Sequence, residues 1–351
     1  MLNLDTLLAD LITNAEKIPR DLAELLPRGK RHPMDRPLGP LKPRGNPSGL
    51  VVQAGETLAS FGDIETPEVT FSCAKSYLSA LTGIALRDGL ITDLDEPVGK
   101  KVKDGGFDNP QNASITWTHL LQQTSEWEGE LFGLPDWLDR GRTVGGGADG
   151  AASNPGDGTV GGTATGHRTL QTPGSFWEYN DVRVNRLSLA LLRLFQEPLP
   201  DVLKREIMDP LGASGTWEWH GYETSTVDVA GRPITSVSGG THWGGGLWIN
   251  TKDHAKFGAL YLGKGRAGGK EILPQEWIAK SLTPCSLNKG YGYLFWLNDK
   301  GALSKKASPK AFAAKGAGGH TVFVEPEKDL VITLRWITDG TQAVDRILTA
   351  L

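Results

Sequence analysis

A serine and a lysine three positions apart, Ser72 and Lys75, stand at the start of the strongest helical pattern in the chain, residues 72–88. Residues i and i+3 are neighbours on one helix face, so the lysine amine can reach the serine hydroxyl. A serine hydroxyl becomes a good nucleophile when a base takes its proton. A lysine serves as that base while it is neutral, which burial favours, and the N–H groups at the helix start stabilise developing negative charge. The spacing therefore predicts a nucleophile, Ser72, with its base, Lys75.

Other catalytic and binding patterns are absent or lack their structural context. Two glycine triads fit G-x-G-x-x-G, but neither follows a predicted strand nor opens a predicted helix; they are Gly145, Gly147 and Gly150, and Gly156, Gly158 and Gly161. The seven histidines form no H-E-x-x-H, and the two cysteines, Cys73 and Cys285, are too far apart for a zinc pair. No G-x-S-x-G nucleophile elbow occurs. The sequence thus predicts neither a metal nor a cofactor.

Composition and charge favour neither nucleic acid nor a membrane as a binding partner. The chain has 351 residues, 38% hydrophobic and 22% charged, with a net charge of −4. Binding to nucleic acid needs a concentrated basic surface, which this composition does not favour. The sequence contains no run of 18 consecutive apolar residues, so it predicts no membrane-spanning helix. The first 22 residues lack a basic start and contain Asp5 and Asp10, unlike a secretory signal, so we expect a cytoplasmic location.

Hydrophobic periodicity predicts the elements that position the site. Residues 49–61 are expected to form two strands around Gly55, and the C-terminal part further strands. Helices are predicted at 72–88, 116–123, 182–196, 201–208, 251–262, 274–282 and 340–350. We expect an α+β fold with an antiparallel sheet flanked by helices, a mostly helical domain, and the active site between them. The expected division is 1–40 as helical extension and arm, 41–95 with 215–351 as the sheet domain, and 96–214 as the helical domain with a Gly-rich loop at 141–166.

Five segments, in this order, resemble the serine β-lactamase and penicillin-binding-protein superfamily. They are TFSCAKSYLSALTGIALRDGLITDLDEPV, SITWTHLLQQTSEW, PGSFWEYNDVRVNRLSLALL, GGGLWINTKDHAKFGALYLGKG and KGAGGHTVFVEPEKDLVITL. The resemblance runs from about residue 45 to the C-terminus and is closest to class C-type β-lactamases, family VIII carboxylesterases and 6-aminohexanoate-dimer hydrolases.

The resemblance implies roles for individual residues. Ser72 would be the acylated nucleophile, and Lys75 would accept its proton directly or tune the next group. Tyr179 would be the second-motif tyrosine that relays a proton to the leaving group. Asp181 stands where the family more often has Asn. It is expected either to hydrogen-bond Lys75 or to cap the helix that starts at Val182.

The third motif departs from Lys-Thr-Gly. Ala314, Lys315 and Gly316 take its place, so the first-position lysine is missing and Lys315 falls on the other strand face. Gly316 suits close approach of the backbone to a substrate. Ala317 and Ser72 are expected to supply the oxyanion N–H groups. His320 either faces the cleft or is an ordinary strand histidine.

The sequence therefore predicts an acyl-transfer hydrolase that acts on a small-molecule ester or amide. Trp177 and Trp243 are candidates for the edges of an apolar cleft that binds substrate together with Asp181, Gly316 and His320. A β-lactamase or D-alanyl peptidase is the alternative within the same chemistry, and a non-catalytic scaffold or ligand-binding protein the alternative outside it. Whether the chain forms a homo-oligomer stays open.

Overall fold

The structure is a computed structural model that describes residues 7, 10, 11, 18–26, 32–140 and 168–351. The Gly-rich loop predicted at 141–166 and most of the predicted N-terminal helical extension lie outside the described residues. Within them, residues Leu22–Leu25 form a short 3₁₀ helix whose first turn is capped by Asp21.

The described elements follow in chain order. The strands are β1 (Ser48–Gln53), β2 (Glu56–Phe61), β3 (Glu68–Val69), β4 (Glu130–Leu131), β5 (Leu134–Pro135), β6 (Glu218–Val229), β7 (Arg232–Val237), β8 (Gly246–Ile249), β9 (Arg266–Ala267), β10 (Lys270–Glu271), β11 (Trp296–Leu297), β12 (Phe312–Gly316), β13 (His320–Glu325) and β14 (Leu330–Arg335). The helices are α1 (Ala74–Arg87), α2 (Trp117–Leu121), α3 (Asp181–Phe195), α4 (Leu199–Leu203), α5 (Thr251–Leu262), α6 (Gln275–Ser281) and α7 (Gly340–Ala350).

The main sheet is antiparallel, in the order β11-β12-β13-β14-β1-β2. Its strands alternate between two apolar clusters because successive side chains point to opposite faces. On β13, Val322 and Val324 join the large core that includes α1 and α5, whereas Phe323 joins the cluster that includes α7. Helix α5 approaches the sheet closely at Gly258, where a Cβ would lie 2.6 Å from the Val322 side chain. The sheet is thus covered by helices on both faces, which confirms the predicted α+β fold.

A second sheet, β3-β8-β6-β7, carries the loop that reaches the site. Strands β6 and β7 form a long hairpin whose pairing shifts register between Gly221 and Thr226. The sequence predicted strand β8 but not this hairpin. The chain leaves β7 at Val237 and enters β8 at Gly246, and the segment 238–245 between them contacts α1 where the Gly239 carbonyl accepts from Lys75.

Two helices begin at the site. Helix α1 continues from a 3₁₀ turn at Phe71–Cys73, and α3 is capped by the Asn180 side chain, which accepts from the Arg183 N–H at 3.1 Å. Both lie within one residue or two of the predicted helices at 72–88 and 182–196. Among the residues that the structure describes, no helix has the length and apolar character required to cross a bilayer.

Candidate active site

Ser72 lies on a tight turn that is held from two sides by glycines. The preceding residue, Phe71, has a φ of 45°, in the left-handed region that costs energy for a bulky side chain. A Cβ on Gly240 would lie 1.7 Å from the Phe71 carbonyl oxygen, and one on Gly316 would lie 2.1 Å from the Thr70 carbonyl oxygen. Both positions therefore require glycine, and the turn presents Ser72 partly exposed while its neighbours are buried.

Lys75 reaches back along α1 to the serine, as the spacing of three predicts. Its Nζ donates to Ser72 Oγ at 2.9 Å, and the Ser72 hydroxyl donates to the Gly240 carbonyl at 3.1 Å. Lys75 Nζ also donates to the Gly239 carbonyl at 3.3 Å. The side chain is only 1% exposed, so the amine is held among fixed acceptors out of contact with bulk water.

Asp181 provides the charge partner of this lysine. Its Oδ1 lies 2.7 Å from Lys75 Nζ, and both side chains are 1% exposed. The capping hydrogen bond of α3 comes from Asn180 instead. Of the two interpretations of Asp181, the geometry therefore agrees with the contact to Lys75. A carboxylate at this distance stabilises the ammonium that forms when the lysine accepts a proton.

Tyr179 lies on the other side of the lysine, within an aromatic wall. Lys75 Nζ is 5.1 Å from the centroid of the Tyr179 ring, which stacks on Trp296 at 5.8 Å. Trp177 packs edge-on against Tyr291 at 5.5 Å. Trp177 and Trp296 are partly exposed, whereas burial, with Tyr179 beside it, raises the pKa of Tyr291 well above its ordinary value. The aromatic wall, Trp177, Tyr179, Tyr291 and Trp296, is an apolar surface next to the serine–lysine pair.

A buried ion cluster fixes the segment that carries Tyr179. Arg183, on the first turn of α3, lies 2.7 Å from Glu126, 3.0 Å from Glu178 and 3.3 Å from Asp136. Arg168 adds a second cation to Glu126 at 2.6 Å. Because Glu178 is the neighbour of Tyr179 in the chain, these contacts hold the tyrosine backbone against the helical part of the molecule.

The end of β12 lies against the turn that carries Ser72. The Cβ position of Gly316 is 3.2 Å from the Ser72 amide nitrogen, and Ala317 starts the 3₁₀ turn that follows. The two backbone segments expected to supply oxyanion N–H groups are therefore adjacent. Alternation along β12 directs Lys315 to the opposite face from Gly316.

Two predicted cleft residues lie elsewhere. Trp243 is 0% exposed, and its indole N–H donates to Asp35 Oδ1 at 3.0 Å. It is a core residue and does not edge an open cleft, contrary to the expectation. His320 is also buried, edge-on to Trp336 at 4.3 Å, and burial lowers its pKa well below the ordinary value. Its surroundings match the alternative of an ordinary strand histidine.

Two residues of the site escaped the sequence analysis. His242 Nδ1 lies 2.9 Å from Asp181 Oδ2, and His242 Nε2 lies 3.5 Å from Asp139 Oδ1. Asp139 Oδ2 also accepts from the Asp181 backbone N–H at 2.7 Å. No local pattern marks either residue, because they are 61 and 42 positions from Asp181 along the chain.

These three side chains also have the spacing of a metal site. One ligand atom from each of Asp139, Asp181 and His242 lies within 4.8 Å of the others, and such a donor set suits zinc. However, the two Asp181 oxygens already have partners, since Oδ1 lies 2.7 Å from Lys75 Nζ and Oδ2 lies 2.9 Å from His242 Nδ1. The arrangement fits a hydrogen-bonded ion cluster better than a metal cage.

Comparisons with known proteins identify the family and the fold. The β-lactamase family profile matches residues 64–348. A search among curated protein sequences gives no significant match. Among solved structures, EstCE1, a hydrolase with promiscuous acyltransferase activity, is 16% identical, with a TM-score of 0.63 over 99% of this chain and 98% of its own.

Two further solved structures share the fold at similarly low identity. A putative 6-aminohexanoate-dimer hydrolase from Bacillus anthracis is 17% identical, with a TM-score of 0.59 over 86% of this chain and 76% of its own. An octameric penicillin-binding protein homologue from Pyrococcus abyssi is 16% identical, with a TM-score of 0.58 over 99% of this chain and 77% of its own. The profile match covers most of the sequence, and the chain belongs to the β-lactamase family of the serine β-lactamase and penicillin-binding-protein superfamily.

Proposed function

We propose that the protein is a serine hydrolase that cleaves a carboxylic ester or amide through an acyl-enzyme on Ser72. The observation that carries the proposal is the 2.9 Å contact between Lys75 Nζ and Ser72 Oγ, made by a buried lysine to a partly exposed serine. The family consists of serine hydrolases, and solved structures of similar fold include the hydrolase EstCE1 and a D-stereospecific amidohydrolase from Streptomyces.

The chemistry follows from the contacts of each group. Ser72 Oγ attacks the carbonyl carbon while its proton passes to Lys75, and Asp181 stabilises the ammonium that forms, as the aspartate of a Ser-His-Asp triad stabilises its imidazolium. The backbone N–H groups of Ser72 and Ala317 bind the oxyanion. Tyr179 relays this proton from Lys75 to the leaving alcohol or amine, which leaves both side chains as they were, and water then hydrolyses the acyl-enzyme to the free acid.

Substrate preference follows from the aromatic wall and from β12. The partly exposed rings of Trp177 and Trp296 favour an apolar or aromatic group beside the scissile bond. Lys315 faces away from Gly316, so β12 offers no side-chain cation next to the serine. A lysine in the first position of the third motif holds a substrate carboxylate in β-lactamases and peptidases. Because this chain lacks that lysine, we expect it to prefer esters and amides without such a carboxylate.

The test uses a fluorophosphonate probe and p-nitrophenyl esters of increasing acyl length. We expect labelling and ester turnover in the wild type, both lost in Ser72→Ala and kept in Ser286→Ala, which removes an exposed serine. Labelling that persists in Ser72→Ala would refute the nucleophile. Rapid opening of a chromogenic cephalosporin without ester turnover would assign the β-lactamase alternative instead. A wild type inert to all reagents would support the non-catalytic alternative.

A further inference from the structure

A continuous chain of polar contacts leads from the nucleophile into the interior. Ser72 contacts Lys75 at 2.9 Å, Lys75 contacts Asp181 at 2.7 Å, Asp181 contacts His242 at 2.9 Å, and His242 contacts Asp139 at 3.5 Å. Beyond Ser72, every member is buried. A buried carboxylate is stable only when its oxygens are paired, so the members of this chain depend on one another.

The two oxygens of Asp181 have different partners. Oδ1 faces Lys75, and Oδ2 faces His242 Nδ1. An ionised carboxylate only accepts hydrogen bonds, so Nδ1 must carry the proton of that contact. The imidazole thereby restricts rotation of the carboxylate about its terminal torsion and keeps Oδ1 directed at the lysine.

The backbone segment that carries His242 also contacts Ser72 and Lys75. His242 lies in the segment 238–245, whose Gly239 carbonyl accepts from Lys75 at 3.3 Å and whose Gly240 carbonyl accepts from Ser72 at 3.1 Å. The bond from His242 to Asp181 therefore ties this segment to the start of α3. One imidazole fixes both the carboxylate and the carbonyls that surround the lysine amine.

We propose that His242 is a positioning residue for the reaction, which fixes Asp181 against Lys75 and is itself oriented by Asp139. The inference rests on the proposed serine hydrolase function. It assigns the site a second set of residues, Asp181, His242 and Asp139, behind the serine and lysine. His242 does not touch the substrate or the reacting atoms; it acts through Asp181.

The test compares variants of His242 with a matched surface pair. His242→Leu removes the donor to Asp181, whereas His242→Asn keeps a side-chain N–H at a similar distance from the backbone. His220→Leu is the control, since its Nε2 lies 2.8 Å from Glu218 in a histidine–carboxylate pair that is not buried. The readouts are kcat and KM for a p-nitrophenyl ester, the rate of fluorophosphonate labelling, and the urea midpoint of unfolding.

We expect His242→Leu to lower kcat and the labelling rate by roughly tenfold to a hundredfold with little change in KM, by analogy with residues that orient metal ligands. His242→Asn should recover most of that loss, and His220→Leu should match the wild type. Equal losses in the Leu and Asn variants that follow their urea midpoints would overturn the positioning role. So would wild-type kcat in His242→Leu.

A separate measurement addresses the metal interpretation of the same residues. We expect kcat to be insensitive to EDTA and to added Zn²⁺. Loss of activity in EDTA that Zn²⁺ restores would overturn the proposal in favour of a metal centre. A wild type that neither reacts with the probe nor turns over esters contradicts the proposed function itself. An active wild type with unaffected His242 variants contradicts only this inference.

Discussion

The buried ion cluster around Arg183 allows a sharp prediction of stability. Arg183 is 1% exposed and contacts Glu126, Glu178 and Asp136, which are at most 3% exposed. Arg183→Met keeps the length of the side chain but leaves these carboxylates short of one cation. Breaking a buried pair by removing one partner costs about 3–5 kcal/mol.

Two other arginines reduce that cost. Arg168 still pairs with Glu126 at 2.6 Å, and Arg140 still pairs with Asp136 at 2.7 Å. We therefore expect Arg183→Met to lower the free energy of unfolding by roughly 3 kcal/mol, at the lower end of that range. Ester turnover should fall as well, because Glu178 adjoins Tyr179.

The effect should also depend on pH. Burial works to raise the pKa of Glu126, but the hydrogen bonds from Arg168 and the charge of Arg183 outweigh it and lower the pKa. A lowered carboxyl pKa contributes stability above the unfolded value, about 4.3, and that contribution is lost as the pH falls through the folded value. The difference between wild type and Arg183→Met should therefore be fully present at pH 7 and shrink once the pH falls below about 4.3.

The assay is urea unfolding at pH 7 and about pH 3, below the unfolded carboxyl pKa, for wild type, Arg183→Met and Arg205→Met. Arg205 pairs with two carboxylates, those of Glu197 and Glu206, but its side chain is 53% exposed. Exposed pairs contribute about 0–1 kcal/mol, so this control should change little. Equal destabilisation by the two substitutions, or a difference that grows as the pH falls, would refute the reasoning.

Three further predictions concern the nucleophile turn, the buried histidines and the aromatic wall. Gly316→Ala, whose Cβ would lie 2.1 Å from a backbone carbonyl of the turn, should lower ester kcat by about 10²-fold or more, whereas Gly215→Ala, with no atom within 4 Å, should not. Burial, then the charge of a nearby arginine, lowers the pKa of His254 and His320 well below the ordinary value. The unfolded chain therefore binds protons that the folded chain excludes once the pH falls below about 6.5, and urea unfolding should show a loss of roughly 1 kcal/mol per histidine between pH 7 and 5.5. His320→Leu should remove about half of this slope, and an unchanged slope would contradict it. Trp296→Ala should lower kcat/KM about fivefold more for an aromatic ester than for the acetate, since an aromatic pair contributes about 1 kcal/mol; equal losses would count against the wall as a specificity surface.

Local patterns in the sequence predicted several helices, including the one that carries Lys75. The helices expected at 251–262 and 340–350 are α5 and α7 with the same bounds, because a 3.6-residue apolar period reflects one buried face. The spacing of Ser72 and Lys75 fixed their contact, since the helix geometry between them is local. The identity of the Ser-x-x-Lys pair therefore needed no tertiary information beyond the existence of α1.

Patterns with weak or broken periodicity were less informative. The run at 291–298 predicted a strand, but only Trp296–Leu297 pairs with β12 as β11. The β6–β7 hairpin was missed, because its outward residues are polar and its register shifts within the ladder. Pairing partners and bulges depend on the neighbouring strand, which the local sequence does not encode.

Only the tertiary structure decided what surrounds the lysine. The sequence left two interpretations of Asp181, as a helix cap or as a partner of Lys75. Packing of α1 against α3 brings Asp181 Oδ1 to 2.7 Å from Lys75 Nζ. His242 and Asp139 had no signal at all, since contacts across 61 and 42 positions arise from how the elements pack. Trp243, expected at a cleft, is fully buried for the same reason. The sequence by itself determined the contact between Ser72 and Lys75, because the geometry over three residues is local. The fold determined the charged groups behind them, because Asp181, His242 and Asp139 come from separate elements.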